Sequence, residues 1–216
     1  DLQLDYIVDP TYYNKTDGFS TSAFGSTTPI TITTNGSDFW ITDFGDAFVY
    51  HVNRTGGNMT DGFSTSAFGS IFPYGISTNN SDFWIIDDSD DFVYHVNRTG
   101  GNMTDGFSTL AFGSDSPSGI VTNGSDFWIA DGVDLFVYHT NRTGGNITDG
   151  FSVSAIGSGA PKGITINNSD FWIVDSTDDF VYHVNRTGGN MSDGFSTLAF
   201  GSDNPLYIAT NISSKT

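Results

Sequence analysis

Cysteine is absent from the 216-residue chain, so neither a disulfide framework nor a thiolate metal site is available to it. Glutamate is absent as well: all 25 acidic residues are aspartate. Aspartate favours turns where glutamate favours helices, which predicts a turn-rich chain poor in helix. Cations are scarce. Seven Lys and Arg leave a formal charge of −18, which argues against the basic footprint that nucleic-acid phosphates require and disfavours an anionic membrane. No apolar run approaches the roughly 18 residues of a membrane span. No secretory leader is evident either, and Asp1 is compatible with the first residue left by processing.

What the sequence has instead is aromatic and repeated. Apolar residues supply 37% and aromatics 15%, which is enough for a packed core and unlike a disordered composition. The four tryptophans, Trp40, Trp84, Trp128 and Trp172, follow one another at intervals of 44 residues, each inside Ser-Asp-Phe-Trp. Phe-Val-Tyr-His returns at Phe48, Phe92, Phe136 and Phe180, and Asn-Arg-Thr-Gly-Gly-Asn at Asn53, Asn97, Asn141 and Asn185. A fixed period in this range marks a repeat architecture. The chain therefore reads as one array with units at about 1–28, 29–72, 73–116, 117–160 and 161–204 and a partial unit at 205–216.

Each unit holds four short runs rich in aromatic and β-branched residues, bounded by Gly, Asn, Asp, Ser and Pro. In the second copy they lie near Tyr74–Thr78, Asp82–Asp87, Phe92–Asn97 and Gly106–Phe112. Such runs are strands, and four per period describe one blade of a β-propeller. Asp-Phe-Trp-Ile is bulky on both faces, where a sheet with one wet face would alternate. Stacked blades bury both faces, so the tryptophans are expected in the core between blades. The predicted fold is all-β, a propeller of about five four-stranded blades. One blade is expected to be incomplete or composite, because the chain enters near Leu4–Val8 and leaves after Leu206–Thr210 in mid-repeat. A longer array continuing past both ends is the alternative.

The sequence Pro73, Gly75, Ile76, then Phe83 to Asp87, Asp91 to His95, and Phe112 with Gly113 resembles the NHL-type β-propeller repeat. The resemblance runs through nearly the whole chain. It implies the fold and says little of activity.

The chemistry concentrates in Asn-x-Ser/Thr. It occurs at Asn14, Asn35, Asn53, Asn58, Asn79, Asn97, Asn102, Asn123, Asn141, Asn146, Asn167, Asn185, Asn190 and Asn211, which is 14 of 17 asparagines. Repetition reduces this to three sites per unit, yet every copy keeps its sequons. A sequon marks a candidate N-glycan on a surface loop of a secreted protein; the competing reading is simple turn chemistry. The A–B and C–D turns that carry them leave an up-and-down blade on one side. An acid-rich set of B–C turns leaves on the other, so a glycan-coated face and a bare anionic face are expected.

Aspartate-rich turns raise calcium, with Asp87, Asp88, Asp90, Asp91, Asp175, Asp178 and Asp179 as weak candidate ligands, although the spacing is not that of an EF-hand. His51, His95, His139 and His183 recur one per blade, too far apart to share an ion, and are expected to be packed and hydrogen-bonded. Arg54, Arg98, Arg142 and Arg186 are expected to pair with aspartates such as Asp61 or Asp105.

Near-identical repeats offer symmetry, whereas catalytic triads and acid–base pairs need unlike groups converging on one spot; on that ground the chain is predicted not to be an enzyme. The leading expectation is an extracellular, N-glycosylated structural or interaction module, a subunit of a coat or filament, partnered by itself or another extracellular protein. A lectin-like propeller with one site per blade is the alternative, and a calcium-dependent hydrolase a weaker one.

Overall fold

A computed structural model describes residues 18–167 and 170–210. Sixteen strands form four antiparallel sheets of four, each in sequence order. Within the second copy, β5 (Pro73–Thr78), β6 (Asp82–Asp87), β7 (Phe92–Asn97) and β8 (Phe107–Ser108) run from the inside outward. The other three sheets repeat this arrangement as β1–β4 (Pro29–Ser64), β9–β12 (Pro117–Ser152) and β13–β16 (Pro161–Ser196).

The innermost strands begin with proline, which is tolerated because its missing N–H faces away from the sheet at an edge. One residue later the ladder slips, between Pro73 and Gly75. Glycine at this second step lets inner strands converge: a Cβ on Gly119 would lie 2.7 Å from the Lys162 carbonyl oxygen, and one on Gly163 2.8 Å from the Tyr207 Cα. Facing inner strands leave a narrow channel lined by hydroxyls, among them Thr34, Thr78, Thr122 and Thr210.

Both faces of each second strand are buried. Phe83, Ile85 and Ile86 are fully enclosed and Trp84 nearly so. Trp40 reaches across to Phe83 of the next blade at 5.3 Å between ring centroids, and Trp84–Phe127 and Trp128–Phe171 repeat the contact at 5.1 and 5.3 Å. The core is thus a series of blade-to-blade seams, as the doubly bulky strands require.

Two sequence expectations need correction. The fourth strand is two residues long, because Thr109–Phe112 turns into a 3-10 helix closed by Gly113 at φ 99°; that turn redirects the chain inward to the next blade. The described residues also form four complete blades, not about five. After the fourth repeat the described residues continue as an inner-strand-like segment, 205–210. Thr210 donates through its N–H to Thr165 Oγ1 (3.1 Å) and through its hydroxyl to the Ile166 carbonyl (2.6 Å), but 205–210 pairs in no ladder. Among the described residues no second strand with a tryptophan is there to pair with it. Leu4–Val8, invoked for the composite blade, lies outside the described residues.

Candidate functional site

The A–B turns and C–D loops sit at one end of every blade. Arg98, in the C–D loop, donates to the Asn80 carbonyl in the A–B turn (2.6 Å), and Arg142 does the same to Gly124 (2.7 Å). All three sequons of a blade therefore share one face. Asn35 Oδ1 accepts from the N–H groups of Ser37 and Asp38, both at 2.9 Å. Asn53 Oδ1 accepts from Thr55 N–H, Thr55 Oγ1–H and Gly57 N–H. Asn58 Oδ1 accepts from Thr60 N–H at 2.8 Å. Equivalent bonds recur in later copies. In each case the side-chain carbonyl bonds to the N–H two residues on, forming an Asx turn, and Nδ2 is not the group that holds the turn. Access varies: Asn58, Asn102, Asn146, Asn190 and Asn141 are exposed, whereas Asn53, Asn97 and Asn185 are half-buried, Asn53 with Nδ2 against Gly57. Asn167 is exposed; Asn14 and Asn211 lie outside the described residues.

Beneath this face lies a layered unit that the sequence did not suggest. Trp84 stacks on His95 of its own blade, with centroids 4.6 Å apart and planes 9° from parallel, and Arg142 of the next blade covers the other side at 4.7 Å. Trp40 is held the same way by His51 and Arg98, and Trp128 by His139 and Arg186. Arg98 and Arg142 thus bind tryptophan and backbone, and the expected Asp61 and Asp105 contact His51 and His95 Nδ1 at 2.5 and 2.6 Å. The signal was present as fixed Trp, His and Arg spacing, but pairing across blades needs the seam geometry. The four histidines are indeed in separate blades. With Trp40, Trp84 and Trp128 almost fully enclosed, these rings offer no stacking platform for a sugar.

The opposite end carries the B–C turns and D–A loops. Its organising groups are Asp43, Asp87, Asp131 and Asp175, each with no exposed surface. Asp175 Oδ2 accepts from Ser158 Oγ–H, Gly159 N–H and Ala160 N–H, while Oδ1 accepts from Thr177 and from Asp178 N–H. Burial opposes its ionisation, but these donors outweigh burial and hold its carboxyl down at about 2. The carboxylate is a latch between two loops.

The calcium candidates are largely engaged in this way. Asp87 is the equivalent latch. Asp90 and Asp178 accept from the phenols of Tyr94 and Tyr182 at 2.8 Å, and Asp179 accepts from Asn204 N–H at 2.6 Å. Asp88 and Asp91 have carboxyls pushed up, first by burial and then by neighbouring carboxylates, Asp91 for Asp88 and Asp115 for Asp91. The one set with ligand spacing among the described residues is Asp115, Asp131 and Asp134, whose nearest oxygens lie within 4.8 Å of one another. Calcium takes six to eight oxygens, and Asp131 is already spent on Ser114, Ser116, Val133 and Asp134. This donor set does not fit a dedicated calcium site.

Comparison with solved structures confirms the architecture. The chain is similar to a chain of the nidogen–laminin complex (TM-score 0.66, 16% identity, 94% of this chain and 76% of that one). It is also similar to Myxococcus xanthus glutaminyl cyclase (0.66, 10%, 86% and 82%) and to a streptogramin B lyase (0.57, 15%, 86% and 59%). It thus spans about three fifths of the length of that lyase. No family model and no curated protein sequence matches. At these identities the likeness shows the propeller fold alone, and the NHL subtype is not singled out.

Two of these neighbours are enzymes, which corrects the prediction that repetition rules out catalysis. The copies are not alike everywhere: the turns after the second strands read Phe44, Asp88, Gly132 and Ser176 at one position. Loops vary independently of the scaffold, so near-identical blades leave unlike groups free to gather at one end. No particular activity follows from the likeness.

Proposed function

We propose that this chain is an extracellular structural or interaction module, N-glycosylated on one face of the propeller and engaging partners with the other. One observation carries the reading: in the described repeats, the three sequons of a blade lie at the same end, their carbonyls committed to Asx turns. Any asparagine suffices for an Asx turn, whereas these turns also place Ser or Thr two residues on, which is what an N-glycan acceptor requires. The nidogen–laminin complex includes a propeller of similar fold in a protein assembly, which supports an interaction role by analogy of fold. No helix among the described residues is long and apolar enough to cross a membrane.

We place the protein at the cell surface or outside it, as a subunit of a coat or filament built from NHL-like repeats. The lectin alternative is disfavoured in its tryptophan-centred form, since three of the four indoles are enclosed between His and Arg. The test is the intact mass of natural material against 23.2 kDa, with modified asparagines mapped. Added hexose-type mass on the repeat asparagines is the expected result. An unmodified mass overturns the glycosylated reading and reduces the sequons to turn chemistry.

A further inference from the structure

The copies do not differ at random. The sequon end is kept almost letter for letter: Asn-Arg-Thr-Gly-Gly-Asn is identical at 53–58, 97–102, 141–146 and 185–190. At the other end the backbone is kept while the side chains change. Ala47, Asp91, Leu135 and Asp179 all hold the same left-handed turn position, at φ 47°, 49°, 52° and 50°. The first position of that turn reads Phe44, Asp88, Gly132 and Ser176. The loop entering the next blade reads Ile71-Phe72, Asp115-Ser116, Gly159-Ala160 and Asp203-Asn204. A scaffold demand would have held these positions as it holds the buried latch aspartates; the fold leaves their chemistry free.

The result is one face with two unlike sectors. Phe44 and Phe72, contributed by neighbouring blades, stack with centroids 5.0 Å apart and planes 29° from parallel. Both remain 37% exposed, and Ile71 beside them is 53% exposed. The aromatic contact is contiguous with acid. Phe72 N–H donates to Asp87, and Asp88 follows it in the chain. Asp91 lies near enough to push up the carboxyl of Asp88, and Asp115 that of Asp91, with burial contributing most to each. An exposed apolar cluster on a soluble face marks a contact surface, and charge complementarity decides what it contacts. Lys162 is a nearby cation and acts against the rise at Asp88; aromatics flanked by carboxylates in excess over that one cation fit a cationic segment with an apolar anchor.

We propose that the face bearing the B–C turns and D–A loops docks a polypeptide segment in which an aromatic or aliphatic anchor seats on Phe44 and Phe72 while flanking lysine or arginine meets Asp88, Asp91 and Asp115. The inference rests on the reading of the chain as an interaction module and is independent of whether its asparagines carry glycans.

The experiment uses the full chain and two synthetic peptides followed by fluorescence anisotropy, Lys-Lys-Phe-Leu-Lys-Lys and Lys-Lys-Ser-Ser-Lys-Lys. The first is expected to bind at least about fivefold more tightly than the second, as burial of an apolar anchor requires, and to weaken as salt rises. Phe44→Ser with Phe72→Ser installs the residues that other copies carry at 176 and 116, and Ser116 N–H donates to its latch aspartate as Phe72 N–H does, so the turn is preserved. This double variant is expected to lose about tenfold for the first peptide and to leave the second unchanged. Asp88→Asn with Asp115→Asn is expected to weaken both. Equal binding of the two peptides, or full retention by the aromatic variant, overturns the proposal, and thermal melts of both variants identify any loss of fold. Selective binding by an unglycosylated chain removes the glycan reading alone; a glycosylated chain that does not discriminate removes this inference alone.

Discussion

Arg98 places its guanidinium 4.4 Å from the centre of the Trp40 ring, although the two residues belong to different blades. The opposite side of the same ring is covered by His51 at 4.4 Å. Each of the three seams between described blades is thereby pinned by one cation and one aromatic, and in the first Trp40 also meets Phe83. Arg98 also donates to its own A–B turn at Asn80, so a single side chain ties a turn, a loop and the neighbouring blade.

Replacing Arg98 with alanine is expected to destabilise the protein by about 1–2 kcal/mol, the sum of a partly desolvated cation–π contact and lost packing of the aliphatic stem. Lysine should recover only part of this, because it cannot present a flat guanidinium to the ring. Chemical denaturation of R98A and R98K checks it. An Asp105→Asn control separates the effect from the ion pair expected on sequence grounds; Asp105 contacts His95, not Arg98.

Much of the fold was legible in the sequence because period and strand pattern are local. The limits of β5, β6 and β7 fall within a residue of the expected runs. The blade count was not legible: Leu206–Thr210 has the composition of an inner strand, yet a strand exists only through its partner, and composition does not supply one. Arg98 shows the same limit for the site. Its charge suggested Asp105, and only the packing of one blade on the next reveals Trp40 as its neighbour. The asymmetry of the two faces was half legible, since the sequons repeat visibly while the varied turn positions look like loop noise until they share one face.

The latch aspartates set the acid limit of the structure. The Asp175 carboxyl is held at about 2 in the folded state against an ordinary value of 3.8, so its contribution is fully present above pH 4 and is lost as pH falls toward 2. The linkage is worth on the order of 2 kcal/mol at neutral pH. Asp175→Asn should flatten the fall in stability between pH 4 and 2, and at neutral pH should cost about 2–3 kcal/mol, because a buried carboxylate with several donors is replaced by a group that must also donate. Urea midpoints across pH 2–7 provide the readout.

Asp88 and Asp91 have the opposite sign. Their carboxyls are pushed up by burial and by the charge of neighbouring carboxylates, so their ionisation opposes folding at neutral pH and the penalty is relieved as pH falls. Asp91→Asn is therefore expected to raise the melting temperature slightly at pH 7 and to have less effect at pH 4. A variant that melts lower at pH 7 than the parent would show that Asp91 is held by attraction and not by the geometry of its turn.

Ala47 occupies a left-handed position, φ 47°, which costs an L-residue other than glycine about 1 kcal/mol or more. Glycine removes that strain but adds freedom to the unfolded chain, an opposing effect of about 0.5–1 kcal/mol. Ala47→Gly should therefore move stability by less than about 1 kcal/mol in the favourable direction. Leu135 holds the equivalent turn at φ 52° but packs against the core seam through its side chain. Leu135→Gly loses that burial as well, at about 1–2 kcal/mol for a partly buried leucine, and is expected to be destabilising. The pair separates backbone strain from packing at one turn position in two copies: opposite signs by thermal melting support the assignment, loss of stability in both would mean that the left-handed turn is not strained in this fold, and a gain in both would mean that the Leu135 side chain contributes little packing.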